Sequence, residues 1–225
     1  ILVAGKDISL GGTFSSLGKI SLTALGSDII NNTTISSATD LNITMAGYLQ
    51  NNGKITAVNN LDIIMGNYII NSGIIASGGN VLVQSGSYIT NNSVIYAGGN
   101  LDVRTNSSVT NNVNSQLLAG GALTIEGIVA GTKNSSFSNL GGEIEVVGNI
   151  LFNTNNFINR GIDQGSAYTR NYHATGARPF KNTVTTGWEY VTPTLTTNLA
   201  SIGGDGDVTI NTGTGLNHGG FIYAK

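Results

Sequence analysis

The sequence reads GSDIINNTTISSATDLNITM at residues 26–45, AGYLQNNGKITAVNNLDIIM at 46–65, GNYIINSGIIASGGNVLVQS at 66–85 and GSYITNNSVIYAGGNLDVRT at 86–105. These four segments follow one another without a gap and are copies of one 20-residue unit. A fixed period of this size is typical of a stacked architecture, in which each unit buries its apolar side chains against its neighbours. The rest of the chain is interpreted outward from this block.

Apolar residues occupy the same places in all four units. The columns are Ile29, Leu49, Ile69 and Ile89; Ile35, Ile55, Ile75 and Ile95; Leu41, Leu61, Val81 and Leu101; and Ile43, Ile63, Val83 and Val103. Each unit holds three short runs of alternating apolar and polar residues, separated by Gly, Asn or Ser, and this alternation predicts strands. Three strands and three turns per unit predict one coil of a parallel β-helix, an all-β solenoid with strands of successive coils about 4.8 Å apart.

Two further columns keep the same period. The asparagine column contains Asn31, Asn51, Asn71, Asn91 and, in the next unit, Asn111. An amide can donate to one neighbour and accept from the other, so this column predicts an inward ladder that holds the register; the alternative is that asparagine only favours the turn. The tyrosine column, Tyr48, Tyr68 and Tyr88, is expected to point outward, either as a stack that shields strand edges or as an aromatic binding strip.

The repeat continues downstream with irregular spacing. A fifth unit covers 106–126 and carries a two-residue insertion near Val113. A sixth unit is expected to place Ile144 in the column of Leu123, and 148–159 opens a seventh.

Both ends of the chain are expected to share one phase of the repeat. Ile8 is matched to Leu101, the final segment 222–224 matches 95–97, and Ile20 is expected to lie in phase with Leu41. From this shared phase we expect a fragment of a longer stack.

The period stops after residue 159 and resumes at 199. We therefore predict β-helix coils in 1–159, a non-repeat excursion in 160–198 and resumed coils in 199–225, with a β-hairpin in the excursion that turns near Gly187. Aromatic and basic side chains suit contacts with a receptor or a glycan. The candidate binding residues are Tyr168, Arg170, Tyr172, His173, Arg178, Trp188 and Tyr190. The alternative is that the hairpin folds back and covers a face of the β-helix.

Composition narrows the function further. The charged fraction is 10% and the net charge is -2, which is not the electrostatic footprint of a nucleic-acid-binding protein. Cysteine is absent and there are two histidines, so we predict no metal site and no cofactor. No apolar run is long enough for a transmembrane segment.

The repeat pattern does not bring the acidic residues together into a cluster that could act in catalysis. Asp40, Asp62, Asp102 and Glu126 are spread over different coils, which is typical of a solvated face, whereas glycan cleavage needs clustered carboxylates. We therefore predict no catalytic residue and no enzyme, and a glycan-cleaving β-helix enzyme is kept as a third alternative.

The segment IYAGGNLDV at 95–103, its related copy LLAGGALTI at 117–125, and NSGIIA at 71–76 resemble the haemagglutinin repeat of filamentous haemagglutinin-type exoproteins of bacterial two-partner secretion. The resemblance covers most of 1–159 and 200–225, and it does not extend to 160–198. It implies a right-handed parallel β-helix, export by an outer-membrane two-partner transporter, and a secreted location at the bacterial cell surface. No binding or catalytic residue of the family can be transferred.

The expected function is that of a structural stalk segment in a large secreted adhesin or in a contact-dependent growth inhibition exoprotein. The alternative is a module that binds a host or target-cell receptor or glycan through the excursion.

Overall fold

The computed structural model of this protein describes residues 2–3, 8–24, 26, 28–163, 172–173, 187–188 and 197–224. Over these residues the structure is an all-β parallel solenoid of nine coils, built from strands without a helix. This confirms the predicted all-β solenoid. Each coil contributes one strand to each of three faces, which we name A, B and C in chain order.

The three faces contain the following strands. Face A comprises β1 (Leu2–Val3), β4 (Ile20–Ala24), β7 (Leu41–Met45), β10 (Leu61–Met65), β13 (Val81–Ser85), β16 (Leu101–Arg104), β19 (Leu123–Glu126), the first part of β22 (Ile150–Arg160) and β28 (Val208–Asn211). Face B comprises β2 (Ile8–Leu10), β5 (Ile29–Asn31), β8 (Leu49–Asn51), β11 (Ile69–Asn71), β14 (Ile89–Asn91), β17 (Ser108–Asn111), β20 (Asn134–Leu140), the last part of β22 and β29 (Thr214–His218). Face C comprises β3 (Phe14–Ser16), β6 (Thr34–Ser37), β9 (Lys54–Ala57), β12 (Ile74–Ser77), β15 (Val94–Ala97), β18 (Gln116–Ala119), β21 (Glu143–Val146), β27 (Ala200–Gly204) and β30 (Gly220–Ala224). Because β22 runs through faces A and B, these two faces form one 17-stranded sheet, while face C is a separate nine-stranded sheet.

Equivalent residues of successive units lie directly opposite one another. Leu61 pairs with Leu41 below it and Val81 above it, and both strand pairs are parallel. Alternate residues face inward, so Leu61 and Ile63 are fully buried whereas Asp62 between them is partly exposed. Each large aliphatic side chain buried in this way contributes about 1.5–3 kcal/mol, and the repeat provides that contribution again in every coil.

The first coils correct one of the predicted phases. Ile20 pairs with Leu41, as predicted. Ile8 pairs with Ile29 on face B, so its assignment to the phase of Leu101 on face A is wrong. The prediction failed because a short alternating run fits any of the three faces when no complete unit surrounds it.

An insertion between faces A and B of the seventh coil overturns a second predicted phase. Leu101 pairs with Leu123 on face A, but Val109 pairs with Phe137 on face B, because the 127–133 loop is added between the two strands. Ile144 therefore lies opposite Leu117 on face C, and not in the column of Leu123. Its separation from Leu123 along the chain is close to the repeat period only by coincidence.

The excursion leaves the eighth coil between faces B and C. β22 ends at Arg160, and the coil resumes with β27 at Ala200. The described residues between them form two short antiparallel pairs: β23 (Ile162–Asp163) with β26 (Thr197–Asn198), and β24 (Tyr172–His173) with β25 (Gly187–Trp188). The predicted turn near Gly187 is wrong, because Gly187 lies in a strand opposite His173.

Candidate functional site

A ladder of asparagine side chains runs through the solenoid at the end of face B, and all of them are buried except Asn217 in the last coil. In each step the Nδ2 of one asparagine donates to the Oδ1 of the next. The steps are Asn31 to Asn51 (2.8 Å), Asn51 to Asn71 (2.8 Å), Asn71 to Asn91 (2.9 Å), Asn91 to Asn111 (2.9 Å), Asn111 to Asn139 (2.9 Å), Asn139 to Asn159 (2.9 Å) and Asn159 to Asn217 (2.8 Å). The same Nδ2 groups also donate to backbone carbonyls across the corner, for example from Asn71 to Val94 at 3.0 Å. The inner ladder therefore satisfies both amide groups and the turn that follows.

A second ladder, which the sequence reasoning missed, lies on the outer corner before face A. Here a side-chain oxygen accepts a hydrogen bond from the backbone N–H of the equivalent residue one coil on. The steps run from Asn60 N to Asp40, from Asn80 N to Asn60, from Asn100 N to Asn80 and from Ala122 N to Asn100. The signal was present in the sequence as Asn60, Asn80 and Asn100, which keep the period of the repeat. Both ladders hold the register of the stack.

The tyrosine column forms a stack on the corner between faces A and B. The ring centroids of Tyr48 and Tyr68 are 4.7 Å apart with an interplanar angle of 6°, and those of Tyr68 and Tyr88 are 5.1 Å apart at 4°. Desolvation and the neighbouring phenols, with Asp28, raise the pKa of Tyr68 above its ordinary value. Because the rings face one another, a ligand could reach mainly their edges. This favours a stack that packs against itself and shields the strand edges over an aromatic strip that binds a ligand.

Two acidic residues of face A, Asp102 and Glu126, lie close to Arg104. Nη2 of Arg104 lies 3.7 Å from Oδ2 of Asp102 and 3.4 Å from Oε1 of Glu126. Glu126 is buried, and its Oε2 accepts a hydrogen bond of 2.7 Å from the backbone of Gly131 in the 127–133 loop. These contacts pin the loop to the face; they do not pair an acid with a base for catalysis.

Asp62 stands two coils from Asp102, with Leu82 between them in register. Burial raises the pKa of Asp62, the charge of Asp40 raises it further, and Lys19 opposes both. Among the residues that the structure describes, His, Cys, Asp and Glu form no group of three or more that could hold a metal ion.

One buried amide has no partner within the described part of the chain. Asn134, at the start of β20, is fully buried, and neither its Nδ2 nor its Oδ1 forms a hydrogen bond there. It lies opposite Thr154, which is also buried and donates from Oγ1 to the carbonyl of Asn156 at 3.0 Å. A short hydroxyl side chain therefore satisfies this corner better than an amide does.

Replacement of Asn134 by threonine should stabilise the protein by about 1–2 kcal/mol, because an unsatisfied buried amide costs about that much. Thermal unfolding should show a higher Tm for the variant. Asn139→Thr is the matched control, since Asn139 lies in the same strand and is equally buried but is hydrogen-bonded on both sides. The control should lower Tm. A lower Tm for Asn134→Thr as well would show that Asn134 is satisfied by bound water.

The seven predicted binding residues divide into two groups. Tyr172, His173 and Trp188 lie in the short antiparallel pair, with Tyr172 opposite Trp188 and His173 opposite Gly187. Tyr168, Arg170, Arg178 and Tyr190 lie outside the described residues. The structure thus brings Tyr172 and Trp188 together in the backbone register.

No family model, curated protein or solved structure compared with this chain gives a match. Nor do the described residues include a helix with the length and apolar character that crossing a membrane requires.

Proposed function

We propose that this protein is a structural stalk segment of a large secreted protein of the bacterial cell surface, either an adhesin or a contact-dependent growth inhibition exoprotein. The observation that carries the proposal is the inner asparagine ladder, which runs without interruption from Asn31 to Asn217. Nine coils stacked about 4.8 Å apart form a rod about 38 Å long, and the ladder keeps the register of the second to the ninth coil through both the 127–133 loop and the excursion.

The repeat motif supports the proposal because its residues are explained by coil stacking. In the segment 95–103, Gly99 lies at the outer corner, where a Cβ would come within 2.5 Å of Oδ1 of Asn80. That oxygen accepts the backbone N–H of Asn100 at 2.9 Å. The adjacent glycine and asparagine of the motif therefore act together: one leaves room for the outer ladder and the other continues it.

Export through an outer-membrane two-partner transporter is part of the proposal. Each coil of a solenoid contacts only its neighbours, so a coil that emerges can fold on the preceding one without waiting for the rest of the chain. The outward residues of the regular coils in 46–85 then serve solubility, and no catalytic role is assigned to them.

A surface-exchange experiment in the source bacterium tests the stalk role. In the natural protein, the outward side chains of 46–85 are replaced by Ser and Thr, while every inward residue and both asparagine ladders are kept. Antibodies against 86–105 should label intact cells, and adhesion or inhibition of target cells should match that of the unaltered protein. Labelling only after lysis contradicts surface export. Lost adhesion or inhibition at equal surface display contradicts a passive stalk.

The second candidate is binding of a receptor or glycan through the excursion, and the pairing of Tyr172 with Trp188 favours it. Aromatic residues are enriched at binding surfaces, and this register places two of them opposite each other along the backbone. The double variant Trp188→Ala and Tyr190→Ala, displayed at an unchanged level, should then lose adhesion to target cells. Unchanged adhesion favours the stalk alone.

A further inference from the structure

The outside of face C carries a groove between coils five and nine. Its volume is about 310 Å³, and its lining includes Tyr96, Leu118, Glu145, Val147, Asp205 and Tyr223. We propose that this groove binds an extended peptide segment of another protein that presents an arginine between apolar side chains. The proposal is independent of the stalk function.

The groove follows from the strand register. One outward position of face C is followed through five successive coils. It is occupied in turn by Tyr96, Leu118, Glu145, Gly203 and Tyr223. Tyr96 and Tyr223 stand at the two ends. Four coil steps of about 4.8 Å give a length of about 19 Å, which matches about six residues of extended chain.

A glycine shapes one end of the groove. A Cβ at Gly203 would lie 2.1 Å from Cζ of Tyr223, so the ring of Tyr223 lies directly on the backbone of the eighth coil. That ring forms the floor over the eighth coil, and Gly120 leaves another part of the lining at backbone level. The ring faces and the floor form an apolar surface that remains open: 42% of Tyr96, 60% of Val147 and 46% of Tyr223 are exposed.

The negative charge of the groove indicates which kind of peptide it binds. Glu145 and Asp205 are the charged side chains of the lining, and among its described residues there is no Lys, Arg or His. Glu143, two residues before Glu145 in the same strand, accepts a hydrogen bond of 2.6 Å from Nε2 of Gln116 and adds negative charge to this face. A guanidinium group complements this surface, because it pairs with a carboxylate through two parallel hydrogen bonds and stacks on a tyrosine face.

The apolar floor selects a peptide over a free cation. A hydrated ion gains nothing from Leu118 and Val147, whereas the aliphatic side chains of an extended peptide bury them. Such a segment lies against the face of the sheet and contacts it through alternate side chains, one of which carries the charge.

The test is a titration of the 225-residue chain with a labelled, blocked hexapeptide of sequence Ala-Leu-Arg-Val-Ala-Gly, followed by fluorescence polarisation. A second peptide has citrulline at the arginine position, and a neutral sugar hexamer is the third probe. The arginine peptide should bind, and it should bind more weakly when the salt concentration is raised from about 50 to about 500 mM, because the pair is partly exposed. The citrulline peptide should bind about tenfold more weakly, the difference expected for one charge-assisted contact.

Two variants locate the site. Glu145→Gln should weaken the arginine peptide about tenfold, and Tyr96→Ala several-fold, through loss of a charged hydrogen bond and of a stacking face. Asp62→Asn, on face A, is the control and should leave binding unchanged. Circular dichroism should show the same Tm for Glu145→Gln and the unaltered chain, since Glu145 is exposed.

Three results would overturn the proposal: no binding of the arginine peptide at millimolar concentration, equal binding of the citrulline peptide, or binding that Glu145→Gln leaves intact. Binding of the sugar hexamer in place of the peptide, abolished by Tyr96→Ala, would assign the groove to a glycan.

Discussion

Replacement of Asn71 by alanine should destabilise the protein by about 3 kcal/mol, because a buried amide loses three hydrogen bonds and each contributes about 1 kcal/mol. The Asn71 amide accepts from Asn51 at 2.8 Å, donates to Asn91 at 2.9 Å and donates to the carbonyl of Val94 at 3.0 Å. Its neighbours keep partial compensation, since Nδ2 of Asn51 still reaches the carbonyl of Ile74 at 3.2 Å. The free energy of unfolding, measured by urea denaturation, gives the loss directly.

The control is Asn52→Ala. Asn52 follows the inner ladder residue Asn51 and takes part in a side-chain bond of its own, from Nδ2 to Oδ1 of Asn32 at 2.8 Å, but it is exposed. Water replaces an exposed hydrogen bond, so this variant should change the free energy of unfolding by less than about 0.5 kcal/mol. If Asn71→Ala costs no more than Asn52→Ala, the inner ladder does not stabilise the stack.

The difference between these two asparagines shows what the repeat alone could predict. Inward positions such as Leu61 and Ile63 follow from the constant spacing of the units and the alternation within each strand, because the period brings like residues onto like wherever nothing is inserted. The same reasoning identified Asn31, Asn51, Asn71, Asn91 and Asn111 as a column.

The later steps of the ladder could not be predicted from spacing. Asn111 pairs with Asn139 and Asn159 with Asn217 in direct register, although both pairs are separated along the chain by more than one repeat unit. The 127–133 loop and the excursion leave the solenoid and return to it, so the distance along the chain no longer measures the distance along the axis. Only the three-dimensional structure shows which residues of successive coils lie opposite each other.

The groove on face C could not be predicted from the sequence, for the same reason. Leu118 lies beside Glu145, and Glu145 beside Gly203, only because the 127–133 loop and the excursion are excluded from the coils. The sequence reasoning instead placed the binding residues in the excursion, where Tyr168, Arg170, Arg178 and Tyr190 remain predictions. Residues that differ from the repeat stand out in a sequence, whereas a surface made by residues that belong to the repeat does not.

Replacement of Phe152 by alanine should destabilise the protein by about 4 kcal/mol, the usual cost of removing a buried phenylalanine and leaving its cavity. Phe152 is fully buried, with ring centroids 4.6 Å from Phe137 and 5.1 Å from Phe157. These three rings fill the interior of coils seven and eight, next to the points where the 127–133 loop and the excursion leave. Phe137 and Phe152 continue the inward columns in register, with aromatic in place of aliphatic side chains.

The loss should be local, because each coil of a solenoid contacts only its neighbours and the energies of the coils add in sequence. Hydrogen exchange measured by mass spectrometry should show faster exchange in 123–160 and 200–217, and unchanged exchange in 41–97. Leu151→Ala is the control: Leu151 is adjacent in the chain but faces outward and is only partly buried, so it should cost about 1 kcal/mol or less and leave both regions protected. Uniformly faster exchange over all nine coils in Phe152→Ala would mean that the solenoid unfolds as one cooperative unit, and the register of its ladders would then be held globally and not coil by coil.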